Sequence, residues 1–546
     1  MAVLRKRGGI IPAEKVQKAI ENGDDIDFDE KVTISGNLDI KTWNLPEITS
    51  QCLGGRRKLV SSSIKIRNSK FKGYIDFSGS WFLKPLEFIN TDFASHVDFS
   101  KSKLENICFG GSVFLSEHTT RFTNTLFLKN AIFSGVSFRA VDFERAKFYA
   151  TARFDGSNFD YSKFDNCEFY GRTSFTHAQF DGIAFFSNTK FINLSNSSGY
   201  VFSTDFANTV FAKGVHFDDA EFGKSVCFTW AKFISESPRF EAAYFVGAEF
   251  KEGATFWETV FDGIAHFGST IFFHYADFKN TNFKDSADFG GACFYGHAIF
   301  TGVRFYEKAY FYETSFWKNF ILIGTRAYEV RLRDIHVLGC SCISLSYPEL
   351  SDEIEKLRLE PACMWDERCL WTKALLWSRS CIALDDSGIT HLSVRWDKIK
   401  DHIAYNPSVY LFLVKSFKDS GQFSEADSCY YQYRDLSQKK KSWSVSKIKD
   451  LLADFYYGYE VNPFKALRVW ALAIGFVAIL FFIGNGTYDF NSLYFSLYNS
   501  TLIFTSNAKS IKWEHWYLNI LSLIEGLIGW LLMALFLVTL GRNRPR

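Results

Sequence analysis

The residues that could carry out chemistry are spread along the chain without the spacings that catalytic or metal sites need. Eleven cysteines include no CxxC pair. Cys340 and Cys342 could share one face of a strand and bind a metal, but two thiolates without a nearby His or further Cys make a poor site. The sequence also has no phosphate-binding Gly-rich loop and no nucleophile with a local base. We therefore expect no enzyme activity and no cofactor.

The charged and histidine residues of the first two-thirds of the chain are mixed in sign and dispersed. We interpret each histidine there as a solvated surface residue; they are His96, His177, His216, His266, His274 and His297. The whole chain has 62 Lys and Arg against 60 Asp and Glu, which gives a net charge of +2. Binding along nucleic acid needs a basic face, so nucleic acid is not an expected partner.

The elements that position these residues follow from a repeat of phenylalanine, of which the chain has 60. In the segment 133–148, FSGVSFRAVDFERAKF, Phe recurs every five residues, and further on the steps alternate between five and six. A small side chain stands two residues before each Phe, as at Ala146, Ala152, Ser157, Ser162, Cys167, Thr173 and Ala178. Each repeat thus contains a small residue and, two positions later, a Phe.

A period of five fits neither a helix nor a straight strand, so the chain must turn between repeats. If four repeats form one coil, Phe and the small residue before it both point inward. Four steps of alternating five and six sum to 22 residues, which predicts ladders of stacked rings. The predicted ladders are Phe256, Phe278, Phe300; Phe261, Phe283, Phe305; Phe267, Phe289, Phe311; and Phe272, Phe294, Phe316.

This pattern resembles the pentapeptide-repeat family. The resemblance implies a mainly β fold, a right-handed quadrilateral β-helix, which we assign to residues 31–345. Residues 1–30 are expected to form an N-terminal helical cap, because PAEKVQKAIENG (12–23) places Val16, Ala19 and Ile20 on one helix face. Some members of the family mimic duplex DNA and act on topoisomerases. That activity requires a strongly acidic rod, and this rod is only slightly acidic, so a DNA-mimic inhibitor is a minor alternative.

Residues 346–463 change to a charged, Leu- and Trp-rich pattern that predicts a small α-helical connector. Within it, 406–438 reads as a helical hairpin that resembles a single tetratricopeptide unit. One such unit cannot bury both its faces, so we expect it to pack on the solenoid or on neighbouring subunits. The lysines that follow, between Lys439 and Lys449, would be attracted to anionic lipid if a membrane lay nearby.

Two apolar stretches in 464–546 predict a membrane module. Transmembrane helices are expected at 464–484 and 516–540, each about as long as a bilayer crossing requires. Lys465 and Arg468 precede the first, and arginines follow the second. These basic flanks place both chain ends and the β-helix in the cytoplasm, with the helices in a bacterial-type inner (plasma) membrane.

Between these helices, residues 490–504 predict a short re-entrant helix. The segments LYFSLYNST (493–501) and EGLIGWLLMALFLVTLGR (525–542) resemble the two-helix pore module of potassium channels. A potassium filter needs glycines whose backbone carbonyls face the pore axis. The filter position here holds Ile503, Phe504, Thr505, Ser506 and Asn507, without glycine. Potassium selectivity is therefore not expected.

Two functions stay open at this point. In the first, a homotetramer encloses a channel-like pore of altered permeability, with the cytosolic β-helix as a sensing or docking rod. Gly526, Gly529 and Ala534 would then allow close packing or gating of the inner helix, and Glu525 would be a pore group or a partner for the re-entrant backbone. In the second, the chain is a non-conducting, membrane-anchored scaffold whose β-helix binds an unknown protein partner.

Overall fold

The computed structural model of the chain describes residues 2–49, 55–194, 202–235, 241–322, 324–332, 335–337, 382–383, 388–389, 392–401, 403, 405–458, 463–484 and 516–542. The chain divides into two compact units, residues 1–404 and 405–546. The first is a parallel β-solenoid of about 14 turns, and the second is helical.

Each turn of the solenoid contributes one short strand to each of four columns. Ser137–Phe138, for example, pairs in parallel with Asn158–Phe159, which pairs with Gln179–Phe180. Two long strands at the start, Val3–Pro12 and Asp25–Ser35, pair with each other and begin columns 1 and 2. Because successive coils hydrogen-bond along the whole rod, the backbone of every inner coil is paired on both sides.

Column 1 continues with Ile64–Arg67, Leu86–Ile89, Ile107–Cys108, Ala131–Ile132, Ala152–Arg153, Thr173–Ser174, Thr204–Asp205, Val226–Cys227, Ala254–Thr255, Ala276–Asp277, Ala298–Ile299, Phe320–Ile321 and Ile382–Ala383. Column 2 continues with Lys70–Phe71, Asp92–Phe93, Val113–Phe114, Ser137–Phe138, Asn158–Phe159, Gln179–Phe180, Val210–Phe211, Lys232–Ile234, Val260–Asp262, Asn282–Phe283 and Gly388–Ile389. Arg304–Tyr310 and Arg326–Leu332 are long enough to belong to both columns 2 and 3.

Column 3 consists of Leu38–Asp39, Ile75–Asp76, Val97–Asp98, Thr120–Arg121, Val141–Asp142, Ser162–Lys163, Ala184–Phe185, Val215–His216, Glu241–Tyr244, Ile264–His266, Ala287–Asp288 and Leu392–Val394. Column 4 consists of Glu47–Thr49, Arg56–Val60, Ser80–Phe82, Lys103–Leu104, Leu126–Phe127, Lys147–Phe148, Glu168–Phe169, Lys190–Phe191, Glu221–Phe222, Glu249–Phe250, Ile271–Phe272, Cys293–Phe294, Ser315–Phe316 and His336–Val337. Glu47–Thr49 pairs antiparallel with Arg56–Val60.

The core confirms the predicted ladders. Phe267 stacks on Phe289 with ring centroids 4.9 Å apart and planes 7° apart, and Phe289 stacks on Phe311 at the same distance. Rings from the opposite columns 1 and 3 meet edge to face across the core, as Phe278 and Phe267 do at 5.6 Å. The small residues two before each Phe are also buried, so both positions point inward as expected. Stacked and T-shaped pairs of this kind stabilise the core beyond the burial of their area.

Two kinds of corner explain why the repeat alternates between five and six residues. Five-residue steps run from column 1 to 2 and from column 3 to 4, and each contains one residue with positive φ, such as Arg145, Asn166 or Gly156. Six-residue steps are confined to the other two corners, where glycine permits close approach of neighbouring coils, although some steps there, such as Phe138 to Phe143, also have five residues. A Cβ at Gly296 would lie 2.0 Å from the carbonyl oxygen of His274. The extra residue thus lies at alternate corners.

Buried hydroxyls bond adjacent coils at the five-residue corners. The Thr270 hydroxyl donates to the carbonyl oxygen of Phe245 at 2.7 Å, and that of Thr314 donates to Phe289 at 2.9 Å. Cys167 makes the equivalent contact, with Sγ 3.0 Å from the carbonyl oxygen of Phe143. Its burial raises the pKa of this thiol well above the usual value. A Thr or Cys at the small inward position therefore donates a hydrogen bond to a backbone carbonyl oxygen of the preceding coil.

Both ends of the solenoid differ from the sequence-based outline. The first 30 residues contain the strand Val3–Pro12 before helix α1 (Ala13–Glu21), whose buried side chains are Ala13, Val16, Ala19 and Ile20. At the other end, strand pairing extends beyond residue 345. Ile382–Ala383 pairs with Phe320–Ile321, and Leu392–Val394 pairs with Arg326–Leu332. A short helix α2 (Trp396–Ile399) follows.

The helical unit contains α3 (Pro407–Asp419), α4 (Phe423–Lys440), α5 (Val445–Tyr457), α6 (Pro463–Gly484) and α7 (Trp516–Arg542). α3 and α4 pack as a hairpin around buried Leu413, Phe417 and Cys429, and Gly421 turns between them with φ of +73°. Lys465 of α6 bonds Asp454 of α5 at 2.7 Å and the hydroxyl of Tyr431 of α4 at 2.8 Å. This network joins three helices.

Transmembrane helices were predicted at 464–484 and 516–540, and the structure has α6 and α7 there. Over the residues described, neither these nor any other helix has a stretch with the length and hydropathy of a bilayer-spanning segment. The predicted re-entrant helix 490–504 lies outside the described residues. The right hand of the coil, implied by the resemblance, stays a prediction.

Candidate functional site

The residues predicted to line a pore are only partly described. Ile503, Phe504, Thr505, Ser506 and Asn507 lie outside the described residues, as do Cys340 and Cys342. The side chain of Glu525 also lies outside the described part of α7, whereas Gly526 and Gly529 are buried in that helix and Ala534 is half-buried. The pore assignment therefore stays a prediction. Among the described residues, the candidate binding surfaces lie on the outer side of the solenoid.

Part of column 1 is closed to partners. Alternation places Cys227, Thr255, Asp277, Ile299 and Ile321 on its outer side, in five consecutive coils, yet all five are buried. Burial raises the pKa of the Cys227 thiol to about 11. Since a partner cannot reach these side chains, a docking surface must use other columns or the earlier coils of column 1.

The outer side of column 3 carries a ladder of four half-buried rings. Phe185, His216, Tyr244 and His266 stack with centroids 5.3, 4.3 and 5.4 Å apart and planes within 16° of parallel. His216 Nδ1 lies 3.0 Å from Asp218 Oδ2. Because the rings face one another along the rod, they present their edges to solvent. The sequence reading had treated the two histidines as separate solvated residues; aligning successive coils in register would have revealed the ladder.

The His266 imidazole, whose Nδ1 lies 3.8 Å from Asp288 Oδ2, holds the pKa of Asp288, the next outward residue of column 3, below its usual range. The carboxylate also accepts the backbone N–H of Gly290 at 2.8 Å. Over the described residues no group of three or more His, Cys, Asp and Glu is placed to hold a metal ion. The acid–histidine contacts described on this column are pairs.

Column 4 carries alternating charges followed by exposed aromatic rings. Lys147 and Glu168 form an ion pair at 2.9 Å, and Lys190 and Glu221 form one at 3.6 Å. Exposed pairs of this kind contribute little to stability. They do give the surface charges of both signs in a fixed order along the rod, which is a basis for selecting a partner's orientation.

Three exposed rings of column 4 belong to its last coils, and Tyr149, which stacks on Tyr170, has the equivalent position in an earlier coil. Phe273, Tyr295 and Trp317 follow the inward Phe of three consecutive coils and are 39%, 39% and 41% exposed. Their centroids are 5.4 Å apart at both steps, with planes 12° and 28° apart. We call these three residues the aromatic stack. The sequence analysis did not predict this stack, because it considered the inward Phe positions and not the residue that follows each of them.

No family model, no characterised protein and no solved structure matches this chain. The stacked coils and the Phe that recurs about every five residues are nevertheless consistent with a pentapeptide-repeat protein. A β-solenoid of this kind fits a scaffold or interaction protein. The class is thus defined by the repeat and its fold.

Proposed function

We propose that this protein is an interaction scaffold whose solenoid binds a protein partner through the aromatic stack. The observation that carries the proposal is the exposure of Phe273, Tyr295 and Trp317 in one continuous row. Aromatic residues, above all Trp and Tyr, are enriched at the energetic centres of protein interfaces. The row is held by three stacked coils, so little conformational entropy is lost when a partner covers it.

The surroundings of the aromatic stack favour a protein over a small ligand. The Lys251 ammonium lies 5.1 Å from the Phe273 ring centroid, and the same lysine is 3.7 Å from a Glu221 carboxylate oxygen. Apolar rings bordered by paired charges match the apolar centre and polar rim of an interface. The rings stack on one another and Lys251 lies over the Phe273 ring, so the row presents mainly ring edges to a partner.

A photo-crosslinking amino acid at Ser315, beside Trp317 on the outer side of column 4, tests this proposal in cells. We expect a discrete crosslinked protein whose yield falls at least about tenfold when Trp317→Ala and Tyr295→Ala are combined. The matched control is Tyr161→Ala, which removes a ring that is 43% exposed on another face. Crosslinks that are absent, or that persist in the double variant, would contradict the proposal.

Membrane anchoring is a second candidate, favoured by the exposed apolar side chains of α6 and α7. Leu472 and Ile483 of α6 are 68% and 70% exposed, and Leu523 of α7 is 68% exposed. Exposed apolar patches larger than those of ordinary monomers mark lipid or protein contacts. The sequence suggests that the lysines near these helices attract anionic lipid. Two of them are already paired with carboxylates, Lys439 with Asp435 at 2.7 Å and Lys441 with Asp450, which weakens that attraction.

Vesicle flotation of the full chain tests membrane anchoring. We expect the protein to float with phosphatidylcholine vesicles, and a variant with Leu472→Ser, Ile483→Ser and Leu523→Ser to stay at the bottom of the gradient. A concentration-dependent dimer without flotation would assign the apolar surface to a second copy of the chain. Ion conduction rests on the sequence resemblance alone; flux through reconstituted protein that a bulky residue at Ser506 abolishes would support it.

A further inference from the structure

A cleft on the outer side of column 1, away from the aromatic stack, is lined by two arginines that form no ion pair within 4.0 Å with the described residues. The cleft has a volume of about 510 Å³ and lies between two adjacent coils. Its lining residues are Thr151, Arg153, Asp155, Gly156, Arg172, Ser174, Thr176 and His177. This volume lies within the range of small-molecule sites. The cleft is independent of the proposed docking surface.

Both arginines line the cleft because the register of the solenoid places their coils side by side. Arg153 is the outward residue of one coil and lies directly beside Ser174 of the next, two residues after Arg172. Over the described residues neither arginine makes an ion pair within 4.0 Å, and the Nε of Arg172 is buried without a hydrogen-bond partner. Elsewhere on this rod, outward basic residues commonly pair across coils, as Lys147 and Lys163 do.

The acidic groups of the cleft have donors of their own. The Asp155 carboxylate accepts the hydroxyl of Ser174, and that hydroxyl lies 2.9 Å from the hydroxyl of Thr176. Asp205, in the next coil, accepts the backbone N–H of Ala207 at 2.9 Å. Burial raises the pKa of Asp205, and the attraction of Arg172 opposes that rise. The buried Nε of Arg172 is therefore a donor without a hydrogen-bond partner among the described residues.

We propose that this cleft binds a phosphate monoester group through Arg153 and Arg172. Guanidinium groups donate pairs of parallel hydrogen bonds to phosphate oxygens, and two such groups can serve two faces of one phosphate. The Thr151 and Thr176 hydroxyls line the same cleft and can supply further donors. In a monoester, one phosphate oxygen is bonded to the rest of the ligand. The open side of the cleft has room for that part of the ligand. The phosphate belongs either to a small soluble compound or to a lipid headgroup.

Isothermal titration of the full chain at low salt with inorganic phosphate and with glycerol 3-phosphate tests this site. We expect saturable binding, weakened about tenfold or more in Arg172→Gln and in Arg153→Gln, because each substitution removes a charge-assisted hydrogen bond. Arg304→Gln is the matched control, since Arg304 is also an exposed outward arginine but lies in column 2. Asp155→Asn should tighten binding, because it removes a nearby negative charge.

Flotation with vesicles that contain phosphatidic acid, compared with phosphatidylcholine alone, separates the two sources. All proteins in this test carry Leu472→Ser, Ile483→Ser and Leu523→Ser, so that the apolar helices do not cause flotation. Loss of phosphatidic acid binding in Arg172→Gln, without binding of the soluble compounds, would assign the phosphate to a lipid. Binding of glycerol 3-phosphate would assign it to a soluble ligand. Arg153 is exposed, so Arg153→Gln keeps the test valid if Arg172→Gln impairs folding. The proposal is overturned if no phosphate compound binds, if both variants bind like the native protein, or if Asp155→Asn abolishes binding.

Discussion

Replacing one inward phenylalanine should open the solenoid locally. Phe267 is fully buried, stacks on Phe245 and Phe289 at 4.9 Å on either side, and meets Phe278 edge to face. Phe267→Ala removes a buried aromatic side chain and leaves a cavity, which costs about 3–5 kcal/mol. The two lost stacks, each about 0.5–1.5 kcal/mol, place the expected cost in the upper part of that range.

Native-state hydrogen exchange measures this loss where it occurs. Because each coil contacts only its neighbours, global denaturation need not be two-state, and local opening is the more direct quantity. A loss of about 4 kcal/mol corresponds to a fall of roughly a thousandfold in protection. The reporting amides are those of Phe245, bonded to the His266 carbonyl at 2.7 Å, and Phe267, bonded to the Asp288 carbonyl at 2.7 Å.

The matched control lies six residues away in the same coil. Phe273 is 39% exposed and stacks on one ring, so Phe273→Ala should cost less than about 1.5 kcal/mol and leave the Phe245 and Phe267 amides protected. The reasoning fails if Phe267→Ala costs less than about 1 kcal/mol, or if the two substitutions have equal effects.

Three further substitutions test other parts of the core. Thr270→Val should lower local stability by about 0.5–1.5 kcal/mol in hydrogen exchange, because it removes the hydroxyl bond to the Phe245 carbonyl while keeping the side-chain shape. Gly296→Ala should cost about 1–3 kcal/mol in denaturant titration, since the added Cβ would meet the His274 carbonyl oxygen at 2.0 Å. Burial lowers the pKa of His297 to about 4. The unfolded chain therefore binds this proton first, and stability should fall as pH drops from about 6.5 towards 4, less steeply in His297→Gln.

Each of these predictions has a control. Thr270→Ser keeps the hydroxyl and should retain the bond, so equal losses in Thr270→Ser and Thr270→Val would exclude a role for it. Gly475→Ala in α6 meets no atom within 4 Å and should be neutral or slightly stabilising. If Gly296→Ala is equally mild, the close approach of the coils is not as described. An identical pH slope with and without His297 would refute the lowered pKa of its imidazole.

The solenoid could be predicted from sequence because two positions per repeat obey a simple rule. An aromatic residue and a small residue two before it must both fill a narrow core, and this constraint recurs in every coil. The rule does not identify strands whose inward residues are aliphatic. Val3–Pro12 and the strands Ile382–Ala383 and Leu392–Val394 contain no Phe, and their places in the ladder follow from tertiary pairing alone.

The outer surface was much harder to predict. Nothing local distinguishes Cys227 or Ile299, which are buried, from equivalent outward residues of earlier coils that are open. The aromatic stack and the ladder that contains His216 depend on neighbours one coil away, so they emerge only when successive coils are aligned. Arg153 and Arg172 likewise read as ordinary surface charges until the register brings them into one cleft. Single residues carry little of this information, because partners lie about 20 or more positions apart.

The central claim is that successive coils stack in parallel with a 22-residue register in the later part of the rod. Asn282 and Arg304 are outward, adjacent-coil partners in column 2, whereas native Cys293 lies between them in sequence but in column 4. Parallel partners lie about 4.8 Å apart, within the Cα separation that a disulfide accepts. After Asn282→Cys and Arg304→Cys are combined and mildly oxidised, peptide mass spectrometry should find the two introduced thiols joined to each other. A disulfide from either of them to Cys293 would contradict the fold described here.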